Sequence, residues 1–341
     1  MNILGIETSC DETAAAIVED GVKLKSSIVA SQIELHAKYG GVIPELAARS
    51  HITEILPVIQ LAIKQAKMDW SQIDAIAIAN GPGLLGSLLI GTLTAATLAE
   101  IKSKPLIPVD HVEAHLYANF LNIDKSLKFP ILALIVSGGH TQLVLFKNHR
   151  SHRILGQTRD DAAGEAFDKI AKILNLGYPG GPAIAAAAQH GNALAYTFPK
   201  AKLTNRFDFS FSGLKTAVLR QAQLLAGKDF RALSTTLYKD LNKTQVQDLA
   251  ASFQKTVIDT LVRSTRQAFE HYRPQTVVIA GGVAANQLLR ETLRQELPVQ
   301  IQYAPIEFCT DNAAMIAAMG YYQRTKTIDP KKLQANPVLS M

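Results

Sequence analysis

The stretch ILGIETSCDETAAAIV (Ile3 to Val18) returns in changed letters as ILALIVSGGHTQLVLF (Ile131 to Phe146). In each, an apolar run meets a small or hydroxylated turn and a second apolar run follows, which reads as strand, tight turn, strand. Ser9 and Thr13 occupy the places that Ser137 and Thr141 occupy in the second copy. Two further pairs follow in the same order. DAIAIANGPGLLGSLLIG and TVVIAGGVAANQLLRETL are each a β-rich run, a glycine turn and a helical pattern; PLIPVDHVEAHLYA and VQIQYAPIEFCTDNAAMIAA are each a short strand running into a helix. Any α/β chain yields some strand-turn-helix pieces by chance, but three matched elements in one order predict a duplicated α/β lobe.

A duplication needs room, and 341 residues of which 48% are apolar can bury two cores. The expected lobes are residues 1–125 and 126–341, the second carrying a mostly helical insert over about 150–273. DDAAGEAFDKIAKILNL and LAASFQKTVIDTLVRSTRQAFEHY supply its helical patterns, and GYPGGP and FSFSGLKTA punctuate it. An insert on one lobe commonly carries specificity. Ala75 to Ala99 holds no charge, but Asn80, Gly81, Pro82 and Gly83 break it and its Gly and Thr content suits close packing, so a buried core helix is predicted rather than a membrane span. Cys10 and Cys309, with no CxxC spacing, indicate neither a disulfide framework nor a thiolate zinc site. The start MNILGIETS has no secretory or import pattern, so a cytoplasmic location is expected. A net charge of +6 without a long Lys/Arg run fits an anionic partner such as nucleic acid, and fits many plain enzymes equally.

HVEAH sets His111 and His115 one helical turn apart, about 40° from each other around a helix. Spacing alone leaves two readings: half of a zinc or iron site, or two histidines satisfied by capping and core hydrogen bonds. The duplication favours the first. Asp311, in CTDNAAMIA, opens the helix that duplicates the one opened by His111. Equivalent helix starts in lobes related by a pseudo-twofold are expected to face each other across a cleft, which makes Asp311 the expected third ligand, from the opposite lobe. Cys309 ranks behind it as a soft ligand. Glu113 stands about 200° from His111, on the wrong side to serve as the water-activating base of an H-E-x-x-H metalloprotease. It is read as a group behind the site or on the surface.

SGGHT places Ser137, Gly138, Gly139 and His140 in a hairpin turn, where the glycine amides can approach an anion closely and His140 adds a donor; the plain alternative is a Gly-Gly turn. In VIAGGVAAN, Gly281 and Gly282 leave room for a base or ribose and Asn286 offers an amide, although the spacing is not G-x-G-x-x-G. Glu165 and Asp168 share one helical face, either as a solvated pair or, for Asp168, as an acceptor for hydroxyls. Gly180 and Gly181 read as a turn between helices or as part of that same wall. Asp11 and Glu12, in the first turn, are a candidate general base or simply turn formers.

Together, IETSCDETAAAIV, HVEAH, VSGGHTQLV, DDAAGEAFDK, YPGGP, FSFSGLKTA, AGGVAANQLLR and CTDNAAMIA, in this order from Asn2 to Tyr321, resemble the bacterial tRNA N6-adenosine threonylcarbamoyltransferases and their archaeal and eukaryotic Kae-type relatives. The resemblance implies an α/β fold of the actin-like ATPase class shared by sugar kinases, Hsp70 and actin (ASKHA), with two duplicated lobes. It implies metal-dependent transfer of the threonylcarbamoyl group from threonylcarbamoyl-AMP to N6 of adenosine 37, beside the anticodon, in tRNAs that read ANN codons. One divalent ion, iron or zinc, is then expected on His111, His115 and Asp311. Threonylcarbamoyl-AMP, or ATP or ADP, is expected against Ile135, Val136, Ser137, Gly138, Gly139, Asp168, Gly181 and Asn286, with Asp11 and Glu12 guiding the amine. Ala183, Ile184 and Ala185 stand where some relatives carry an acid that meets the ribose, so that contact is not expected from this segment. Implied partners are tRNA, an upstream threonylcarbamoyl-AMP synthase, a smaller non-catalytic paralogue paired through the amino-terminal lobe, near the apolar helix Leu84 to Ala99, and a P-loop ATPase. The rival readings are a metallopeptidase, a role once attached to this family as "glycoprotease", and an actin-like module that assembles without catalysing.

Overall fold

Both hairpins form. In the first, β1 (Asn2–Glu7) pairs antiparallel with β2 (Glu12–Glu19), Glu7 standing opposite Ala14. The sheet continues with β3 (Lys23–Ser31) outside β2, and with β4 (Ala75–Gly81) and β5 (Leu106–Asp110) added in parallel beyond β1, in the order β3-β2-β1-β4-β5. The second sheet holds β6 (Ile131–Val136), β7 (Thr141–Asn148), β8 (Ser151–Gln157), β9 (Thr276–Ala280) and β10 (Ile301–Tyr303). Its order, β8-β7-β6-β9-β10, is the same permutation, so the duplication read from the letters is a duplication of topology. β3 and β8 are not legible from the apolar pattern, because each is an edge strand rich in Lys, Ser, His or Arg with exposed positions along it.

The computed structural model describes residues 1–122, 127–234 and 236–339. The chain divides into two units, one of Met1–Lys128, Lys147–Ser151 and Tyr303–Met341, the other of Phe129–Phe146 and His152–Gln302. The expected boundary at 125/126 lies outside the described residues. The first unit carries α1 (Ile33–Ala37), α2 (Pro44–Gln65), α3 (Leu85–Lys102) and α4 (His111–Tyr117). The second carries α5 (Ala163–Ile173), α6 (Gly180–Ala188), α7 (Ser212–Leu225), α8 (Lys243–Tyr272) and α9 (Gln287–Glu296), the first four forming the helical insert. The last helix, α10 (Ala313–Tyr322), packs on β1, β2 and β4, so the carboxy-terminal segment expected in the second lobe belongs to the first unit.

Alternation along β1 and β2 sorts the first core into two layers. Leu4, Ile6, Ala15 and Ile17 face Ile55, Val58 and Ile59 of α2 and Ala95 and Ala99 of α3. The opposite face receives α10, whose eight residues from Ala313 to Gly320 are all buried. That helix comes so close that a Cβ on Gly5 of β1 would stand 2.2 Å from the Ala313 carbonyl and 2.7 Å from the Ala317 amide. Both obstacles are backbone and cannot step aside.

The expected core helix is differently buried than its apolarity predicts. Although α3 is long and apolar enough to cross a membrane, only 33% of its 18 residues lie buried. The buried side is made of Ser87, Leu88, Gly91, Thr92, Ala95 and Ala99, while Leu85, Leu89 and Leu93 are 52%, 42% and 63% exposed. Small residues let the helix approach β4 and α2, Gly91 lying against Thr8 and Gly86 against Ala48, and this close seating turns the leucines outward. Gly5→Ala is expected to cost about 3 kcal/mol through overpacking and to lower the thermal midpoint by roughly 5–10 °C; a calorimetric midpoint within about 1 °C of the parent chain would contradict this packing.

Candidate functional site

β5 ends at Asp110, whose side chain accepts the Glu113 amide at 2.9 Å and caps α4. The cap makes His111 the first helical residue and sets His115 one turn on, the two rings edge to face at 4.9 Å. Against α4 packs α10, started by Asn312: its Oδ1 accepts the Met315 amide at 3.0 Å and its Nδ2 donates to the Thr310 carbonyl at 2.8 Å. Asp311, just before this cap, is thereby held over the histidines. Its Oδ1 lies 3.6 Å from His111 Nε2 and 3.4 Å from His115 Nε2, and one donor atom of each residue lies within 4.8 Å of the others. Two imidazole nitrogens and a carboxylate oxygen form a donor set suited to zinc or iron(II).

Geometry corrects the route by which Asp311 was expected. It reaches the histidines from within their own unit, because the apolar helix that follows it returns to the first sheet. Cys309 is buried with its thiol donating to the Ala304 and Pro305 carbonyls at 3.5 Å, and it takes no place in the triad. Glu113 is buried, not on the surface, and is absent from the donor group.

One residue of the site escaped the motif reading. Glu7, fully buried at the end of β1, accepts His111 Nδ1–H on Oε2 at 2.8 Å and the Ser9 amide on Oε1. A carboxylate directly after the apolar run Ile3 to Ile6 is a recognisable signal, since a buried charge needs a partner. Burial opposes the Glu7 charge, but the His111 imidazolium and the hydrogen bonds override it and hold the acid below its usual range. Burial likewise opposes a charge on His111, and Glu7 and Asp311 override it, raising the imidazole to about 9. Glu7 also orients the ring with Nε2 toward Asp311, and in the neutral form it keeps the proton on Nδ1. Burial pushes Asp311 up to about 6, against the pull of His111.

Asp11 sits in the turn between β1 and β2 and Glu12 opens β2, both in the same unit as the triad. Glu12 Oε1 accepts Ser31 Oγ–H at 2.8 Å, while its Oε2 is buried without a hydrogen bond. Burial raises Glu12 to about 8, with Asp11 and Asp311 adding repulsion and Ser31 opposing.

In the second unit the glycine turns converge. Ser137 N–H donates to His140 O at 2.8 Å and His140 N–H to Ser137 Oγ at 3.2 Å, closing a turn in which a Cβ on Gly138 or Gly139 would meet nothing within 4 Å. The first amides of α5 are already spent: Ala163 donates to Thr141 Oγ1, Gly164 to Ser137 O and Glu165 to Gly138 O. The amides of Ala163, Gly164 and Glu165 are therefore committed within the protein, while Gly138 and Gly139 stand exposed beside them. Gly281 has φ +86°, where glycine is favoured, and a Cβ there would strike the Val136 carbonyl at 2.5 Å, so the AGGVA loop seats directly on the end of β6. Ile135 and Val136 are the buried last residues of that strand. Asp168 Oδ1 accepts the Gly180 amide at 2.7 Å and so holds the start of α6, with the side of Gly181 open. Asn286 is more committed than its motif implies. It caps α9 through Leu289 N–H at 3.1 Å and donates to Gln254 Oε1 at 2.9 Å, leaving one bonding position on each amide atom. Glu165 is an exposed partner of Lys169 at 2.8 Å.

The sequence profile of the tRNA N6-adenosine threonylcarbamoyltransferases matches residues 23–318. The enzyme of that name from Thermomicrobium roseum is 51% identical over 336 residues, covering 94% of this chain and 92% of that one. Its counterpart from Desulfitobacterium hafniense is 49% identical over 346 residues, covering 100% and 98%. Among solved structures, HypF of T. kodakarensis superposes with a TM-score of 0.64 at 14% identity, over 97% of this chain and 49% of that one, and shares the actin-like ATPase fold. With its duplicated sheets, its two-histidine, one-aspartate cluster and this likeness along almost its whole length, the chain belongs to the tRNA N6-adenosine threonylcarbamoyltransferase family.

Proposed function

We propose that this chain transfers a threonylcarbamoyl group from threonylcarbamoyl-AMP to N6 of adenosine 37 in tRNAs reading ANN codons. The observation that carries the reading is the His111–His115–Asp311 cluster, backed by Glu7, in a chain half identical to enzymes of that name. His111, His115 and Asp311 would hold one Fe2+ or Zn2+, and the bound ion supplies Lewis-acid polarisation of a substrate oxygen. Glu7 keeps His111 Nε2 aimed at that position by holding the proton on Nδ1. In the transfer, N6 of the adenine forms a bond to the carbamoyl carbon, AMP departs with the electron pair of the broken C–O bond, and one proton leaves N6. Glu12, which burial raises to about 8, is assigned to take that proton, and Asp11 beside it to orient the amine.

The nucleotide half of the substrate, or ATP or ADP, is assigned to the second unit. Gly138 and Gly139 amides with His140 receive phosphate oxygens and charge developing there. Ile135, Val136 and Ser137 present the strand end, Asp168 and Gly181 wall the sugar, and Asn286 uses its remaining positions. Ala183 leaves no acid from that segment for the ribose.

The partners follow the same reading: tRNA, a threonylcarbamoyl-AMP synthase upstream, a P-loop ATPase and a smaller paralogue, all in the cytoplasm and off the membrane. Two free thiols, Cys10 and Cys309, suit a reducing compartment. The paralogue's dock is assigned to the first unit, where Ile52 and Leu56 of α2 and Leu85, Leu89 and Leu93 of the adjoining α3 are 42–63% exposed. An apolar stripe of this kind is characteristic of a protein interface. A peptidase reading lacks a water-activating glutamate on the metal side of α4, since Glu113 stands about 200° around the helix from His111.

Depleting the protein and measuring tRNA nucleosides by mass spectrometry should remove threonylcarbamoyladenosine, and its persistence would overturn the function. In the purified chain, His115→Ala should lower transfer at least about a hundredfold with the circular dichroism spectrum retained, because one of three ligands is lost; near-normal product formation would refute the metal role. Metal affinity should rise with pH. His111 must shed a proton to bind and its pKa without the ion is about 9, so affinity should climb about tenfold per unit from pH 7 to 9 and then level off, steepening below about 6 where Asp311 also protonates. A titration flat between about pH 7 and 9 would exclude this coupling. Leu89→Glu with Leu93→Glu should abolish co-elution with the paralogue on size exclusion while leaving the thermal midpoint within about 3 °C; undiminished co-elution would move the dock elsewhere.

A further inference from the structure

The acidic turn is gripped through its carbonyls. Ser9 O accepts the Leu84 amide at 2.8 Å from the start of α3, and Asp11 O accepts the Gln32 amide at 3.2 Å from the corner after β3. Between them, Cys10 O accepts two side chains, His51 Nε2–H at 3.0 Å and Ser87 Oγ–H at 3.1 Å. His51 comes from α2 and is wholly buried, and its other nitrogen, Nδ1, lies 2.7 Å from Thr13 Oγ1 on the far side of the same turn. A carbonyl only accepts, so Nε2 carries the proton, and the neutral ring must then accept Thr13 Oγ1–H on Nδ1. Thr13 is itself fully buried. Burial lowers the His51 pKa, which keeps the ring in this neutral form. A core histidine serving stability alone needs partners anywhere around it. This one spends both nitrogens on the two ends of the four-residue segment that contains Asp11 and Glu12.

We propose that His51 is a positioning residue for the transfer reaction: as the Nε2–H tautomer it bridges Cys10 O and Thr13 Oγ1 and so fixes the backbone that presents Asp11 and Glu12. The inference rests on the reading of those two acids as the groups that guide the amine and take its proton. His51 touches no reacting atom, so its loss should displace the acids without weakening substrate binding. A misplacement of about 1 Å at reacting groups costs up to about a hundredfold in rate.

The test compares His51→Leu, which removes both hydrogen bonds at similar volume, with His51→Gln, whose amide can donate to Cys10 O and accept from Thr13. Thr13→Val, which cuts only one end of the bridge, serves as a second variant should His51→Leu fail to fold. With the full chain, its partners, tRNA and threonylcarbamoyl-AMP, His51→Leu should lower kcat about tenfold to a hundredfold. KM and metal content should stay within about twofold of the parent. His51→Gln should recover most of the lost rate, and Thr13→Val should fall between. A folded His51→Leu of normal kcat, a loss confined to KM, or a glutamine variant no better than leucine would each overturn the proposal. An arm independent of activity separates this result from failure of the functional reading itself. In 15N-histidine NMR spectra, His51 should show a protonated Nε2 and a bare Nδ1 unchanged from about pH 5 to 8. A ring protonated on Nδ1, or one that titrates in that range, would sink the bridge even if transfer is observed; the expected tautomer in a chain that transfers nothing would leave the bridge standing and remove the reaction.

Discussion

The buried pair of Glu7 and His111 is the interaction on which the first unit's chemistry depends. An ion pair inside a core seldom adds stability over apolar packing, because desolvating both charges offsets their attraction, yet breaking one leaves the other stranded at a cost of about 3–5 kcal/mol. Here the pair has a further consequence. Glu7 divides its two oxygens between His111 Nδ1 and the Ser9 amide, so one carboxylate orients a candidate metal ligand and anchors the start of the acidic turn. Orientation of the imidazole and placement of Asp11 and Glu12 are therefore not independent variables. A shift in β1 moves both.

The same economy appears in how helices reach the sheet. Asp311 arrives at the histidines only because α10 can lie almost on the backbone of β1, and it can do so only over a residue without a side chain, Gly5. On the opposite face α3 is seated by Gly86, Ser87, Leu88 and Gly91, with Leu85, Leu89 and Leu93 turned outward. Close approach through small residues gives short, rigid links between helix starts and strand ends, and it is at helix starts and strand ends that the site residues stand. The cost is an exposed leucine stripe, which a partner surface would cover.

Much of this is legible in the letters. The repeated hairpins, the two later strand-helix pairs and the position of the insert all follow from apolar periodicity, which reports burial directly. What periodicity does not report is which layer an element joins. The helix after Asp311 is apolar all round and so announces that it is buried, but nothing in ten apolar residues says against which sheet, and it crosses to the first unit. The edge strands β3 and β8 stay hidden for the converse reason, because half-exposed strands mix Lys, Ser and Arg with their apolar residues. Of the site, the two histidines and the aspartate were marked by spacing and duplication. Glu7 and His51 were not, since each acts through hydrogen bonds that become visible only once β1, α2 and α4 are assembled.

Charge balance ties these parts together. The charges of Asp11 and Asp311 act on the titration of Glu12, and those of Glu7 and Asp11 on that of Asp311. Burial, with repulsion added to it, already pushes Glu12 to about 8 and Asp311 to about 6. A divalent cation held by His111, His115 and Asp311 would favour the ionised form of acids near it. On the proposed reading of Glu12 as the base, metal binding and its readiness would then be coupled through electrostatics. The turn must be stiff for this coupling to hold, because an acid free to swing into water would escape both the repulsion and the cation. That stiffness is what the carbonyl grip of Leu84, Ser87, His51 and Gln32 provides.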